Sequence, residues 1–109
     1  MSANVSVVIP FYNSEKTILR TLYSIFNQSL KPLEIVIVVD GCNDVFIKSI
    51  LDENRSNFSE IPIVLKVLVE NSGPSFARNI GVQISVGKYV AFLDSDDVWH
   101  SQKIELQYY

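Results

Sequence analysis

Cysteine is almost absent from the 109 residues, with Cys42 standing alone. A single thiol cannot close an intrachain disulfide, so the core holds without covalent staples and the chain suits a reducing compartment, or one where redox state is immaterial. Cys42 itself reads as a small turn residue rather than a nucleophile. Basic clusters are missing too: nine Lys and Arg face twelve Asp and Glu for a net charge of -3. Duplex nucleic acid needs a concentrated positive face, so it is not an expected partner. Long apolar runs are also lacking. The stretch beginning at Val5 breaks at Pro10, too short for a signal segment or membrane span, and Met1, Ser2, Ala3 and Asn4 before it carry no basic residue. The expected location is therefore cytoplasmic, with peripheral membrane contact reserved for parts outside this sequence.

What is present is an ordinary core-forming composition. Hydrophobic residues at 48% against 19% charged exclude a disordered chain, and the length suits one compact domain. Apolar residues fill consecutive positions at 5–9, 35–39, 63–69 (interrupted by Lys66) and 89–93, the pattern of strands buried on both faces of a parallel sheet. Helical spacing lies between them. Ile18, Leu19, Leu22, Ile25 and Phe26 mark a first helix, capped by Asn13 or Ser14 and closed by Lys31 and Pro32. Val45, Ile47, Ile50 and Leu51 mark a second, begun by Asn43 or Asp44 and running into a polar loop at 52–57. A third has Ser72 or Gly73 as cap, Pro74 in its first turn, Phe76, Ala77, Ile80 and Ile84 inward, and Gly87 as its stop. A further element starts near Trp99 and meets no cap by Tyr109, so the sequence reads as the N-terminal part of a longer protein.

The order βαβαβαβ predicts a doubly wound α/β fold: three layers, a mainly parallel Rossmann-like sheet and right-handed crossovers. If the fourth strand returns beside the first, the strand order is 3-2-1-4 and the reversal between strands one and four opens a ligand crevice at their carboxyl ends.

The acidic run at that crevice is the most informative feature. Asp94, Asp96 and Asp97 follow an apolar strand within four residues. Carboxylates so close repel one another unless a cation or hydrogen-bond donors compensate. Hard oxygen ligands suit Mg²⁺ or Mn²⁺, whose octahedron substrate phosphates complete, so a phosphate-bearing ligand is implied. The plainer alternative makes Ser95 or Asp97 a helix cap and the other acids solvated turn residues.

Other groups reach the same edge. Tyr12 can stack on a base or simply pack, and Asn13 can hydrogen-bond the base or cap a helix. Asp40 can accept from a base N–H or form a turn with Gly41. Arg78 can offset phosphate charge, pair with the acids, or lie on the surface. His100, the one histidine, reads as incidental rather than as a ligand or base.

Taken together, the stretches 6–13, 28–35, 40–44, 71–79 and 87–97, quoted as SVVIPFYN, QSLKPLEI, DGCND, NSGPSFARN and GKYVAFLDSDD, resemble the family 2 glycosyltransferases of GT-A fold. The resemblance implies transfer of a sugar from a nucleotide-diphosphate donor, UDP- or dTDP-linked, to a saccharide or lipid-linked acceptor hydroxyl, with inversion. It assigns the nucleotide to Pro10, Phe11, Tyr12, Asn13, Glu15, Asp40, Arg78, Asp94, Ser95 and Asp96, and a divalent metal, Mn²⁺ or Mg²⁺, to Asp94, Asp96 and Asp97. Val39 departs from the pattern, standing where the family usually has the first of two acids, and Cys42 stands where Ser is usual. The general base expected of the family has no counterpart up to Tyr109.

Two other classes compete. A haloacid-dehalogenase-type phosphatase would use Asp94 as nucleophile and Asp96 as acid/base, but that motif normally opens a chain and needs a later Lys and acids. A binding module without catalysis is the second alternative, favoured by Val39. A phosphoacceptor receiver lacks its acids, since Tyr12 and Asn13 follow the first strand and Glu70 and Asn71 the third.

Overall fold

The computed structural model describes residues 3–41 and 44–108. Its elements run β1 (Val5–Phe11), α1 (Ile18–Phe26), β2 (Glu34–Val39), α2 (Val45–Glu53), β3 (Ile63–Val67), α3 (Pro74–Ile84), β4 (Tyr89–Phe92) and α4 (Lys103–Tyr108). The four strands form one parallel sheet in the order β3-β2-β1-β4, as the alternation of elements predicts.

Alternation along β1 divides the core into two layers. Val5, Val7, Ile9 and Phe11 point to the side covered by α1 and α2, where Ile18, Leu22, Ile25 and Ile47 pack, joined by Ile104 of α4. Val8 points to the other side, with Val36 and Val38 of β2 and Ala77 of α3. Every position of β1 and β2 is buried, which explains the Val/Ile runs at 7–9 and 35–39. The outer strands differ from the sequence expectation. β3 alternates half-buried and exposed residues and ends two residues early at Val67. β4 leaves Tyr89 and Phe92 about half exposed because it is the sheet's edge among the described residues.

Several helix details also depart from expectation. α1 takes Thr17 as its cap rather than Asn13 or Ser14, because the Ser14 carbonyl first closes a turn with the Thr17 and Ile18 amides. It ends at Asn27, well before Lys31 and Pro32. α2 takes Asp44 as its cap and Val45 is exposed; Cys42 and the alternative start Asn43 lie outside the described residues. The polar stretch at 52–57 is partly helical, and Phe58 just beyond it stacks on Phe26 with ring centroids 4.7 Å apart. In α3, Gly73 is the cap as expected, but Phe76 faces solvent, since the face that meets the sheet is set by Ala77 and Gly81. That helix stops at Ser85, not at Gly87, whose role is close approach: a Cβ there would lie 2.7 Å from the Ser6 amide nitrogen and hydroxyl. Gly87 instead donates its amide to Ser6 Oγ at 2.8 Å; that hydroxyl donates to Glu34 Oε2 at 2.6 Å, which also accepts the Val86 amide. This buried knot ties β1, β2 and the entry to β4 at the amino ends of the strands. No helix among the described residues is long and apolar enough to cross a membrane.

Candidate functional site

At the opposite, carboxyl ends of the strands, β1 and β4 lie side by side and their following loops diverge, because α1 leaves one face of the sheet and α3 enters from the other. A cleft of about 400 Å³ opens there, lined by Pro10, Tyr12, Ser14, Asp40, Asn71, Pro74, Arg78, Asp94, Ser95 and Asp96. Seven of the ten positions that the resemblance assigns to a nucleotide therefore converge on one cavity.

The remaining three sit differently. Phe11 is buried among the residues beneath α1 and reaches only a small depression beside the cleft, shared with Tyr12 and Asp40. Asn13 and Glu15 line two neighbouring depressions that share Tyr12 with the cleft. Asn13 adopts φ 50°, the left-handed region that Asn tolerates better than most residues. This reversal turns the chain from β1 towards α1 and leaves Tyr12 exposed beside the cleft; Ser14 Oγ donates back to the Tyr12 carbonyl at 2.9 Å.

Asp40 directly follows β2 and is buried. Its two oxygens accept the backbone amides of Ser72 at 2.7 Å and Gly73 at 2.9 Å, so the carboxylate clamps the loop from β3 into α3 while still lining the cavity. Gly73, at φ 91°, lets that loop turn its amides inward. Val39, the departure from the family pattern, is buried against α1 and α2.

The acids gather as their spacing suggests. One oxygen from each of Asp94, Asp96 and Asp97 lies within 4.8 Å of the others, and all three residues are exposed. Arg78, in the second turn of α3, donates to Asp94 Oδ1 at 2.8 Å. Hard oxygen donors at this separation fit a divalent cation, and an exposed cluster leaves room for further ligands. Ser95 is buried, its hydroxyl bonded to Ser14, so it shapes the floor of the cleft. Asp97 faces a neighbouring depression with Phe92, Trp99 and Lys103. His100 is exposed, and its Nδ1 accepts the Gln102 amide.

Sequence reasoning missed the support beneath this loop. α1 carries Thr17, Thr21, Ser24 and Gln28 just beyond it in a polar row at helical spacing. Thr17 and Thr21 donate to the Ser95 carbonyl at 2.9 and 3.0 Å, and Thr21 reaches the Asp97 carbonyl at 2.6 Å. Ser24 accepts the Trp99 amide. Gln28 donates to the His100 carbonyl and accepts the Ile104 amide. The available signal was those four polar residues beside the apolar stripe of one helix.

The comparisons with known proteins agree with this geometry. The model described as glycosyl transferase family 2 matches residues 6–108. The amylovoran biosynthesis glycosyltransferase AmsB of Erwinia amylovora is 37% identical over 101 residues, covering 92% of this chain and 33% of that protein. The Escherichia coli protein WfgD, a UDP-Glc:α-D-GlcNAc-diphosphoundecaprenol β-1,3-glucosyltransferase, is 33% identical over 103 residues, covering 94% and 39%. Among solved structures, residues 1–349 of Staphylococcus aureus TarS in complex with UDP superpose with a TM-score of 0.80 at 31% identity, covering 96% of this chain and 30% of that one. The chain thus spans between a third and two fifths of the two curated relatives. From the first strand to the last helix, sequence and sheet order agree, and the chain belongs to glycosyl transferase family 2.

Proposed function

We propose that this chain is the donor-binding part of an inverting glycosyltransferase that moves a sugar from a UDP- or dTDP-linked donor to the hydroxyl of a saccharide or lipid-linked acceptor, in polysaccharide or glycoconjugate synthesis. The observation that carries the reading is the convergence of Asp94, Asp96 and Asp97 beside Arg78 at the mouth of a cavity that also holds Tyr12 and Asp40. Supporting it are the UDP complex of TarS and the donor and lipid-linked acceptor in the name of WfgD.

Each residue then has a task. Tyr12, about half exposed, offers a ring face for the base. Asp40 fixes the loop that walls the base pocket and keeps further acceptor capacity on its oxygens for a base N–H. Asp94, Asp96 and Asp97 would hold Mn²⁺ or Mg²⁺, which when bound neutralises the diphosphate and eases its departure. Arg78 supplies fixed positive charge to the diphosphate and keeps Asp94 oriented. The general base belongs, on this reading, to regions outside residues 1–109. A cytoplasmic location, with membrane contact through such regions, goes with a lipid-linked acceptor.

Calorimetric titration with UDP, dTDP and GDP tests the proposal, run with Mn²⁺ and then with EDTA on the chain and on Asp96→Ala with Asp97→Ala. Metal-dependent binding of a uracil or thymine nucleotide that the double variant loses is the expected result. Absence of binding to any nucleotide by the folded chain and by a longer one overturns it.

A further inference from the structure

The three carboxylates project into solvent, and among them only Asp94 has a described side-chain partner, Arg78. What fixes their mutual placement is the backbone beneath them. The Asp97 amide closes a turn onto the Asp94 carbonyl at 3.0 Å. The carbonyls of Ser95 and Asp97 are held from below by a hydroxyl of α1. Thr21 is fully buried; its Oγ1 lies 2.6 Å from the Asp97 oxygen and 3.0 Å from the Ser95 oxygen, so one donor bridges two carbonyls of one turn. Threonine is an indifferent helix former, and a buried hydroxyl costs stability unless bonded, so local helix chemistry gives no reason for it here.

Resting on the donor-site reading above, we propose that Thr21 is a positioning residue for metal and diphosphate. By pinning the carbonyls of Ser95 and Asp97 inward, it turns the carboxylates of Asp94, Asp96 and Asp97 outward as one preformed set. Affinity for the metal-bound nucleotide is then set partly from a helix that touches neither. The backbone cradle makes the set rigid before the ligand arrives, which lowers the ordering cost of binding. Thr17, one turn earlier on the same face, reinforces the Ser95 end.

The test compares the chain with Thr21→Val, which keeps shape and loses the hydroxyl, and with Thr21→Ser, which keeps the hydroxyl. Three quantities are measured: thermal midpoint, calorimetric affinity for UDP with Mn²⁺, and amide exchange at Asp97 and Trp99. Thr21→Val is expected to bind UDP and Mn²⁺ at least tenfold more weakly and to exchange both amides at least tenfold faster. Thr21→Ser should stay within threefold of the parent on both, even where its thermal midpoint falls as far as that of Thr21→Val. Affinity and exchange in Thr21→Val within twofold of the parent overturn the inference. Should Thr21→Val not fold, Thr21→Ala, which also removes the hydroxyl, carries the same comparison, with the same outcome overturning it. If neither the parent nor a longer chain binds a nucleotide, the donor-site reading falls, and the exchange rates alone decide: faster in the Val variant with rescue by Ser supports the role of Thr21 in holding the acidic loop, and unchanged rates overturn it.

Discussion

Gly81 lies mid-way along α3, where replacing glycine by alanine ordinarily stabilises a helix by about 0.8–1 kcal/mol. The structure reverses that sign. A Cβ at position 81 would lie 2.3 Å from Val8 Cγ1 and 3.2 Å from Cγ2, whereas carbon atoms settle at roughly 3.5–4 Å. Val8 is fully buried in a central strand and its side chain is stiff, so relief must come from lifting α3 off the sheet or forcing a poor rotamer. Overpacking of this kind costs about 1–3 kcal/mol, and an overlap above 1 Å belongs in the upper part of that range. Gly81→Ala should therefore lose about 1–2 kcal/mol net, lowering the thermal midpoint by about 4–8 °C in a domain of this size. Val8→Ala alone leaves a cavity and is also destabilising. Combined, the new methyl fills space the valine vacated, so the double variant should be more stable than the sum of the two losses by about 1 kcal/mol or more. Circular dichroism melts and urea titrations of the four proteins measure this cycle. A Gly81→Ala midpoint above that of the parent, or strict additivity, would refute the close approach of α3 to β1. Because Arg78 sits one turn before Gly81, the single variant should also weaken nucleotide binding, and the double variant should recover it.

Arg78→Ala should weaken binding of the UDP and Mn²⁺ complex tenfold or more in calorimetry. It should move the thermal midpoint little, since its pair with Asp94 is partly exposed and such pairs contribute under about 1 kcal/mol. Asp40→Asn presents N–H groups where the Ser72 or Gly73 amide needs an acceptor, and should cost about 1–3 kcal/mol in urea unfolding while loosening those two amides in hydrogen exchange. The Asp44 carboxyl is held below its ordinary value of 3.8, chiefly by its hydrogen bond from Lys48. A depressed native pKa means that its contribution to stability is present above 3.8 and fades as pH falls through the lowered value. A side-chain carbon NMR titration should show Asp44 titrating below 3.8, and Lys48→Met should raise it.

The fold was legible because β1 and β2 are buried on both faces, which writes itself as the Val/Ile runs at 7–9 and 35–39. The acidic loop was legible for the opposite reason, since exposed carboxylates at a strand end are chemically conspicuous. What escaped was whatever depends on a partner distant in sequence. Phe76 fits the helical period of α3 yet faces solvent, because close contact is set by the small residues Ala77 and Gly81. Gly87 looks like a helix stop and is instead a spacer against Ser6. Asp40 reads as a residue open to a ligand, and the sequence does not show that each of its oxygens also holds an amide of a loop 32 and 33 residues away. Thr21 contributes nothing to an apolar period, and its partners lie 74 and 76 residues on.

The buried knot of Ser6, Glu34, Val86 and Gly87 acts as a stop that sets where β4 begins along β1. In a parallel pair the ladder alone tolerates sliding at an exposed edge, and a slip of one residue would carry the chain about 3.3 Å along and exchange the two faces of every side chain. With Gly87 seated against Ser6, Tyr89 falls opposite Val5 and Phe92 opposite Val8. The carboxylates two residues further on are thereby gauged from the far end of the sheet, so a change at Ser6 or Glu34 would misalign the cleft without touching any residue in it.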